Sequence, residues 1–93
     1  METLRIKVVN PVGLHARPAS LFVQAANGFA CGIQVRNATS ASAWVDGKSI
    51  LGVLTLGVEK DHEIEITADG ADEKELIARL QALIGSDFQG TRA

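Results

Sequence analysis

From His62 to Ala68 polar and apolar residues alternate without a break, with Glu63, Glu65 and Thr67 on one side and Ile64, Ile66 and Ala68 on the other. Period two of this kind predicts a strand with one face buried and one face in water. Asp69-Gly70 turns the chain, and over residues 71–84 the period changes. Leu76, Ile77, Leu80, Leu83 and Ile84 make one apolar stripe at helical spacing, and acids crowd the first turns, where the helix macrodipole favours them. Gly85 ends that helix. A one-faced strand followed by a one-striped helix buries both surfaces only by laying helix on sheet, so the chain must fold in layers.

The remaining segments repeat this change of period. Leu4, Ile6 and Val8 alternate with Arg5, Lys7 and Val9 as a first strand, closed by the turn residues Asn10-Pro11-Val12-Gly13. Ala19, Phe22, Val23 and Ala26 predict a helix over 16–27, with Gly28 placed to close it. Pro18 fits its first turn, where a missing N–H breaks no bond. Ile33, Val35, Ala43 and Val45 bound a hairpin whose centre, residues 37–42, is small and polar. Asp46-Gly47 is a turn signal, and Ser49 is a good N-cap for a short helix with Ile50, Val53 and Leu54 on one face. Gly52 and Gly57 hold that helix to about two turns. The order is β-α-β-β-α-β-α: an α+β chain with a four-stranded sheet, three helices on one face and the other face in solvent. Residues 1–88 are expected to form the domain. The chain should fray from Ser86 onward, with 89–93 a flexible tail.

Composition narrows the function classes. Ninety-three residues, 46% hydrophobic and 22% charged, suffice for one core and not for two. No stretch approaches the roughly 18 apolar residues of a membrane span, and the charged N-terminus is not a signal peptide. The single Cys31 excludes a disulfide framework and a cysteine metal cluster, and is expected to be an inert small apolar residue. Cytoplasmic location is the simplest expectation. A net charge of −2 and only four aromatic residues argue against a nucleic-acid binder. The charge is uneven: residues 1–58 hold five bases against two acids, and residues 59–93 hold four bases against nine acids. That asymmetry fits a basic working face, or simply an acidic C-terminal helix.

Two histidines are present. His62 opens a strand in an acidic run and reads as a solvated strand-end residue. His15 immediately precedes a helix start, beside free backbone N–H groups and in the positive field of the helix N-terminus. That field disfavours a charged ring, keeping it nucleophilic near neutral pH, and suits a dianionic phosphoryl group attached to it. Arg17 adds a planar, permanently charged fork for phosphate oxygens. From chemistry alone, Gly13-Leu14-His15-Ala16-Arg17-Pro18-Ala19 is a nucleophile with an anion clamp, or else an exposed loop histidine beside a solvated arginine.

These seven residues resemble the active-site signature of HPr, the histidine phosphocarrier family of the bacterial sugar phosphotransferase system. Gly47-Lys48-Ser49-Ile50-Leu51-Gly52-Val53-Leu54-Thr55-Leu56-Gly57 is similar to the same family's regulatory serine region, and the resemblance extends over nearly the whole chain. It implies an open-faced β-sandwich, a four-stranded antiparallel sheet under three helices. It further implies that His15 takes a phosphoryl group on Nδ1 from phospho-enzyme I, ultimately from phosphoenolpyruvate, and passes it to enzyme IIA domains. Arg17 would hold the phosphoryl oxygens, joined by the N–H groups of Ala16 and Arg17. Ser49 matches the serine phosphorylated by a dedicated HPr kinase/phosphorylase. Ile50, Leu51, Leu54 and Thr55 match the partner-binding patch, with Lys48, Ser20 and Leu21 as further candidates. No cofactor, metal, membrane or nucleic acid is implied. The chain is expected to be a monomer and a carrier without turnover of its own.

The sequence departs from the family pattern in three places. The hairpin from Ile33 to Asp46 is longer and carries Asn37-Ala38-Thr39-Ser40; Trp44 is unusual and reads as a sheet residue without function; Ala16 replaces a hydroxyl residue of some members. The alternative within this chemistry is a carrier in a nitrogen-regulatory or dihydroxyacetone-kinase phosphorelay, against which the Lys48-Ser49-Ile50 segment weighs. A purely regulatory binding protein is a third reading, but such relatives have lost the histidine that is present here.

Overall fold

In the computed structural model, which describes residues 1–86 and 88, the chain runs β1 (Glu2–Lys7), α1 (Ala16–Asn27), β2 (Gly32–Asn37), β3 (Val45–Asp46), α2 (Ile50–Thr55), β4 (Glu63–Asp69) and α3 (Glu73–Gly85). The predicted order holds throughout. The sheet order is β1-β4-β2-β3 and every pairing is antiparallel. Register follows the alternation: Leu4 lies opposite Ile66, Ile6 opposite Ile64, and Val35 faces Ile66 from the other side. A slip of one residue would turn each of these side chains into water. The inward faces of β2 and β4 meet Phe22 of α1 and Leu76, Leu80, Leu83 and Ile84 of α3 in one core. The three helices cover that face of the open sheet.

The outward face settles the charge asymmetry. Arg5 pairs with Glu63 (2.6 Å), and Arg36 with Glu65 (2.7 Å). Arg36 also lies 5.3 Å from the centre of the Trp44 ring, a cation–π distance. Two of the five bases of the first 58 residues are thus neutralised by acids of β4. A third, Lys48, donates from its ammonium to the Phe29 carbonyl (2.6 Å). The expected basic working face is therefore not a broad patch. At the N-terminus of α1 it reduces to Arg17, which makes no ion pair among the described residues.

The third strand is shorter than expected. A hairpin strand over residues 43–45 shrinks to Val45–Asp46, because side chains take the backbone groups a ladder would use. Asn37 is fully buried; its Oδ1 accepts from Thr39 N–H (3.0 Å) and Ser40 N–H (3.2 Å). Ser42 Oγ accepts from Asn37 N–H (2.9 Å). The lengthened hairpin is a wrapped loop, not a longer ladder.

Helix ends differ from the sequence reading in detail. Gly28 closes α1 with φ −75°, in the right-handed region, so the closing residue does not use glycine's freedom. Asp72 precedes α3, and its carboxylate reaches across to accept from the N–H groups of Ala30 (2.9 Å) and Cys31 (3.0 Å). These bonds hold Asp72 below the usual carboxylate range and tie the start of α3 to that of β2. Cys31 is a buried free thiol, pushed up by burial. Phe88 lies in the stretch expected to fray, yet it is buried, with its N–H on the Leu83 carbonyl (2.8 Å). The tail expected over 89–93 lies outside the described residues. No helix among the described residues is long and apolar enough to cross a membrane.

Candidate functional site

The site begins with a turn. Asn10 closes it twice: its carbonyl accepts from Gly13 N–H (3.1 Å) and its Nδ2 donates to the Gly13 carbonyl (2.7 Å). Gly13 has φ +63°, and a Cβ there would stand 2.1 Å from the Val58 carbonyl oxygen. Glycine is required on both counts, left-handed backbone and close approach. The approach lets Leu14 N–H reach Val58 O (3.0 Å), which docks the turn on the loop between α2 and β4. Leu14 is fully buried and anchors the chain immediately before His15.

His15 is the N-cap of α1 in extended backbone, and its side chain caps nothing. The first helical N–H groups have no intrahelical carbonyl to meet, and Pro18 has no N–H at all. Ala16 and Arg17 therefore present the helix's uncommitted donors. Ala16 sits at φ +51°, a left-handed conformation that costs an alanine about 1–2 kcal/mol. Ala16 and Arg17 are exposed, and the first turn holds no acid. A cation at the positive end of a helix opposes the macrodipole, the local inconsistency expected where an anion is to be received.

One contact was invisible in the sequence. His15 Nε2 lies 2.9 Å from Glu59 Oε2, with the two side chains 38% and 64% exposed. A carboxylate only accepts, so Nε2 carries the proton and, in a neutral ring, Nδ1 keeps the lone pair. Glu59 is held in turn. Its N–H donates to His62 Nδ1 (3.1 Å), and its carbonyl accepts from His62 N–H (3.1 Å). His62 Nδ1 also accepts from Asn37 Nδ2 (3.1 Å). The expectation of a solvated His62 is corrected: the ring is half-buried and pins the loop that carries Glu59. No pattern in the sequence pairs Glu59 with His15, because they stand 44 residues apart.

The second segment forms as its residues suggest. Ser49 is the N-cap of α2, its Oγ accepting from Gly52 N–H (3.1 Å). Asp46 Oδ1 accepts from Lys48 N–H (2.9 Å) and shapes the turn before it. Ile50, Leu51 and Leu54 are exposed, Leu51 to 73%, and Thr55 is exposed beside them. Of Ile50, Val53 and Leu54, expected on one face of α2, Val53 alone is buried, and the two partner-patch candidates Ile50 and Leu54 are exposed. Ser20 accepts from Gln24 Nε2 (3.1 Å) on α1, whereas Leu21 turns into the core and leaves the patch. Among the described residues no group of His, Cys, Asp and Glu could hold a metal ion.

Comparison with known proteins shows what the chain is similar to. Residues 3–86 match the family model described as the PTS HPr component phosphorylation site. The chain is 38% identical over 88 residues to phosphocarrier protein HPr of Pseudomonas aeruginosa, covering 95% of this chain and 96% of that one. It is 39% identical over 85 residues to the multiphosphoryl transfer protein of Xanthomonas campestris, of whose length it spans about 10%. Its fold superposes with a TM-score of 0.90 on the crystal structure of HPr-C-His from Thermoanaerobacter tengcongensis, at 40% identity, covering 99% of this chain and 100% of that one.

Proposed function

The chain belongs to the HPr family of the phosphotransferase system, and on that premise we propose that His15 is its phosphoryl acceptor, charged by phospho-enzyme I and discharged to enzyme IIA domains in sugar uptake. The observation that carries this reading is the uncapped start of α1, where His15 stands beside the N–H groups of Ala16 and Arg17 and the Arg17 guanidinium, none of which has a partner among the described residues. The Nδ1 lone pair forms the new P–N bond while the donor's bond to phosphorus breaks and keeps its own electron pair. Arg17 and the two N–H groups meet the transferred oxygens. Such transfer needs positioning and charge neutralisation more than covalent machinery, so a carrier needs no turnover of its own. Incubation with phosphoenolpyruvate and enzyme I is expected to add one phosphoryl group, lost in acid and stable in alkali. A chain that stays unlabelled while a known HPr is charged in the same mixture would overturn the proposal.

Arg17→Ala is expected to slow this charging by about tenfold or more, since the phosphoryl group loses its charge-assisted partner. Stability should stay within about 0.5 kcal/mol, because Arg17 is exposed and makes no ion pair among the described residues. Initial rates beside thermal unfolding check both; a large fall in Tm would make Arg17 structural instead.

Ser49 is proposed as a regulatory site for a serine kinase. Phosphorylation there adds about −1.5 to −2 charge beside the exposed Ile50, Leu51 and Leu54. The fold should tolerate it, since an aspartate also caps a helix, but new charge opposes burial of an apolar patch against a partner. Ser49→Asp is expected to keep the native circular dichroism spectrum and to be charged by enzyme I about tenfold more slowly than Ser49→Ala. Equal rates would leave Ser49 a plain cap.

A further inference from the structure

We infer that Glu59 is a positioning residue for phosphoryl transfer, acting through the far nitrogen of His15; the inference rests on the reading of His15 as acceptor. The contact is direct, 2.9 Å from Oε2 to Nε2. It serves both states of the ring. Before transfer, the carboxylate holds the proton on Nε2 and so leaves the lone pair of the neutral ring on Nδ1. During transfer, the Nδ1 lone pair forms a bond to phosphorus, and the leaving group departs with the electron pair of its own bond. No proton has to move: Nε2 keeps its hydrogen and the ring becomes a cation. That new charge appears beside a carboxylate already in place, where opposite charges favour each other.

The surrounding loop holds this contact in place. Glu59 is 64% exposed, so its ion pair adds little to folding stability. Its backbone is nevertheless fixed from two directions. His62 Nδ1 accepts its N–H, and Gly13 is packed within a Cβ's reach of Val58 and Glu59. Buried Asn37 supports His62 from beneath. Among the described residues Glu59 is the charged group in contact with the His15 ring, and Arg17 follows two positions on at the start of the same helix.

The test uses Glu59→Gln, which keeps shape and removes charge, and two phosphoryl donors. Phosphoramidate transfers its phosphoryl group to histidine and releases ammonia, with no partner protein to dock. Phospho-enzyme I is the second donor. Relative to wild type, Glu59→Gln is expected to be phosphorylated about three- to tenfold more slowly by both. In 31P spectra the titration midpoint of the phosphorylated ring should fall by about one pH unit, with the unfolding temperature unchanged. A wild-type chain that neither donor labels would overturn the acceptor reading itself. A labelled wild type with equal phosphoramidate rates and equal midpoints in Glu59→Gln would overturn the inference alone. Slowing confined to enzyme I would also overturn it, because Glu59 would then belong to docking.

Discussion

A His15→Ala chain is expected to take up no acid-labile phosphoryl group from phosphoenolpyruvate and enzyme I, while a His62→Ala chain is labelled to one group per molecule. The asymmetry follows from which ring nitrogen is free. In His62, Nδ1 already accepts two hydrogen bonds, from Glu59 N–H and Asn37 Nδ2, so a neutral ring has its lone pair engaged and its proton on Nε2. In His15 it is Nε2 that is engaged, by Glu59, and Nδ1 is left to attack. Loss of labelling in His15→Ala should therefore be complete, more than a thousandfold in rate, because no second nucleophile stands at the start of α1. It should come without unfolding, since the ring is part-exposed and its bond to Glu59 is an exposed one. Circular dichroism and intact-mass measurement after donor treatment check both halves. A labelled His15→Ala chain would place the acceptor elsewhere.

The largest effect on stability is expected from Gly13→Ala. A Cβ at Gly13 would lie 2.1 Å from Val58 O and 2.8 Å from Glu59 Cα, and these are backbone atoms that no rotamer change can move. Left-handed backbone at φ +63° adds strain for any residue with a side chain. Together these predict a loss of about 2–4 kcal/mol, or roughly 10–25 °C in Tm for a domain of this size. If the loop instead swings away to relieve the clash, the Leu14–Val58 bond opens and His15 leaves Glu59. Slow charging would then accompany a milder loss of stability. Thermal unfolding and charging rates measured on one preparation separate the two. A variant that matches wild type in both would show that the docking of this turn carries no energy.

Residues with a periodic or capping signature were legible. The alternation through β4 and the stripe on α3 foretold the layers, and Ser49 announced its cap. His15 stood out as a histidine before a helix start beside Arg17. The residues alone left it between a nucleophile and an exposed loop histidine, and the resemblance of the seven-residue signature made it the candidate. Features assembled by tertiary contact were not legible. Glu59 stands in a polar stretch whose loop meets the His15 turn through the Val58 carbonyl and the Glu59 side chain, partners that no sequence pattern links. His62 seemed solvated because its two donors come from Asn37 and from the backbone of Glu59. Asn37 looked like loop composition, although its buried side chain shapes the hairpin loop by accepting from the Thr39 and Ser40 N–H groups. A helix of six residues is too short for its apolar spacing to reveal that Ile50 and Leu54 face outward.

The hydrogen bond from Leu14 to Val58 also bears on which molecules can enter the relay at all. The residues of the signature are contiguous, but the bond joins them to a carbonyl that lies 44 positions further on. A peptide cut from the signature, or a nascent chain released before β4 has formed, holds the histidine with no fixed turn before it. The turn before His15 is therefore a property of the folded chain, docked only once the loop after α2 is in place.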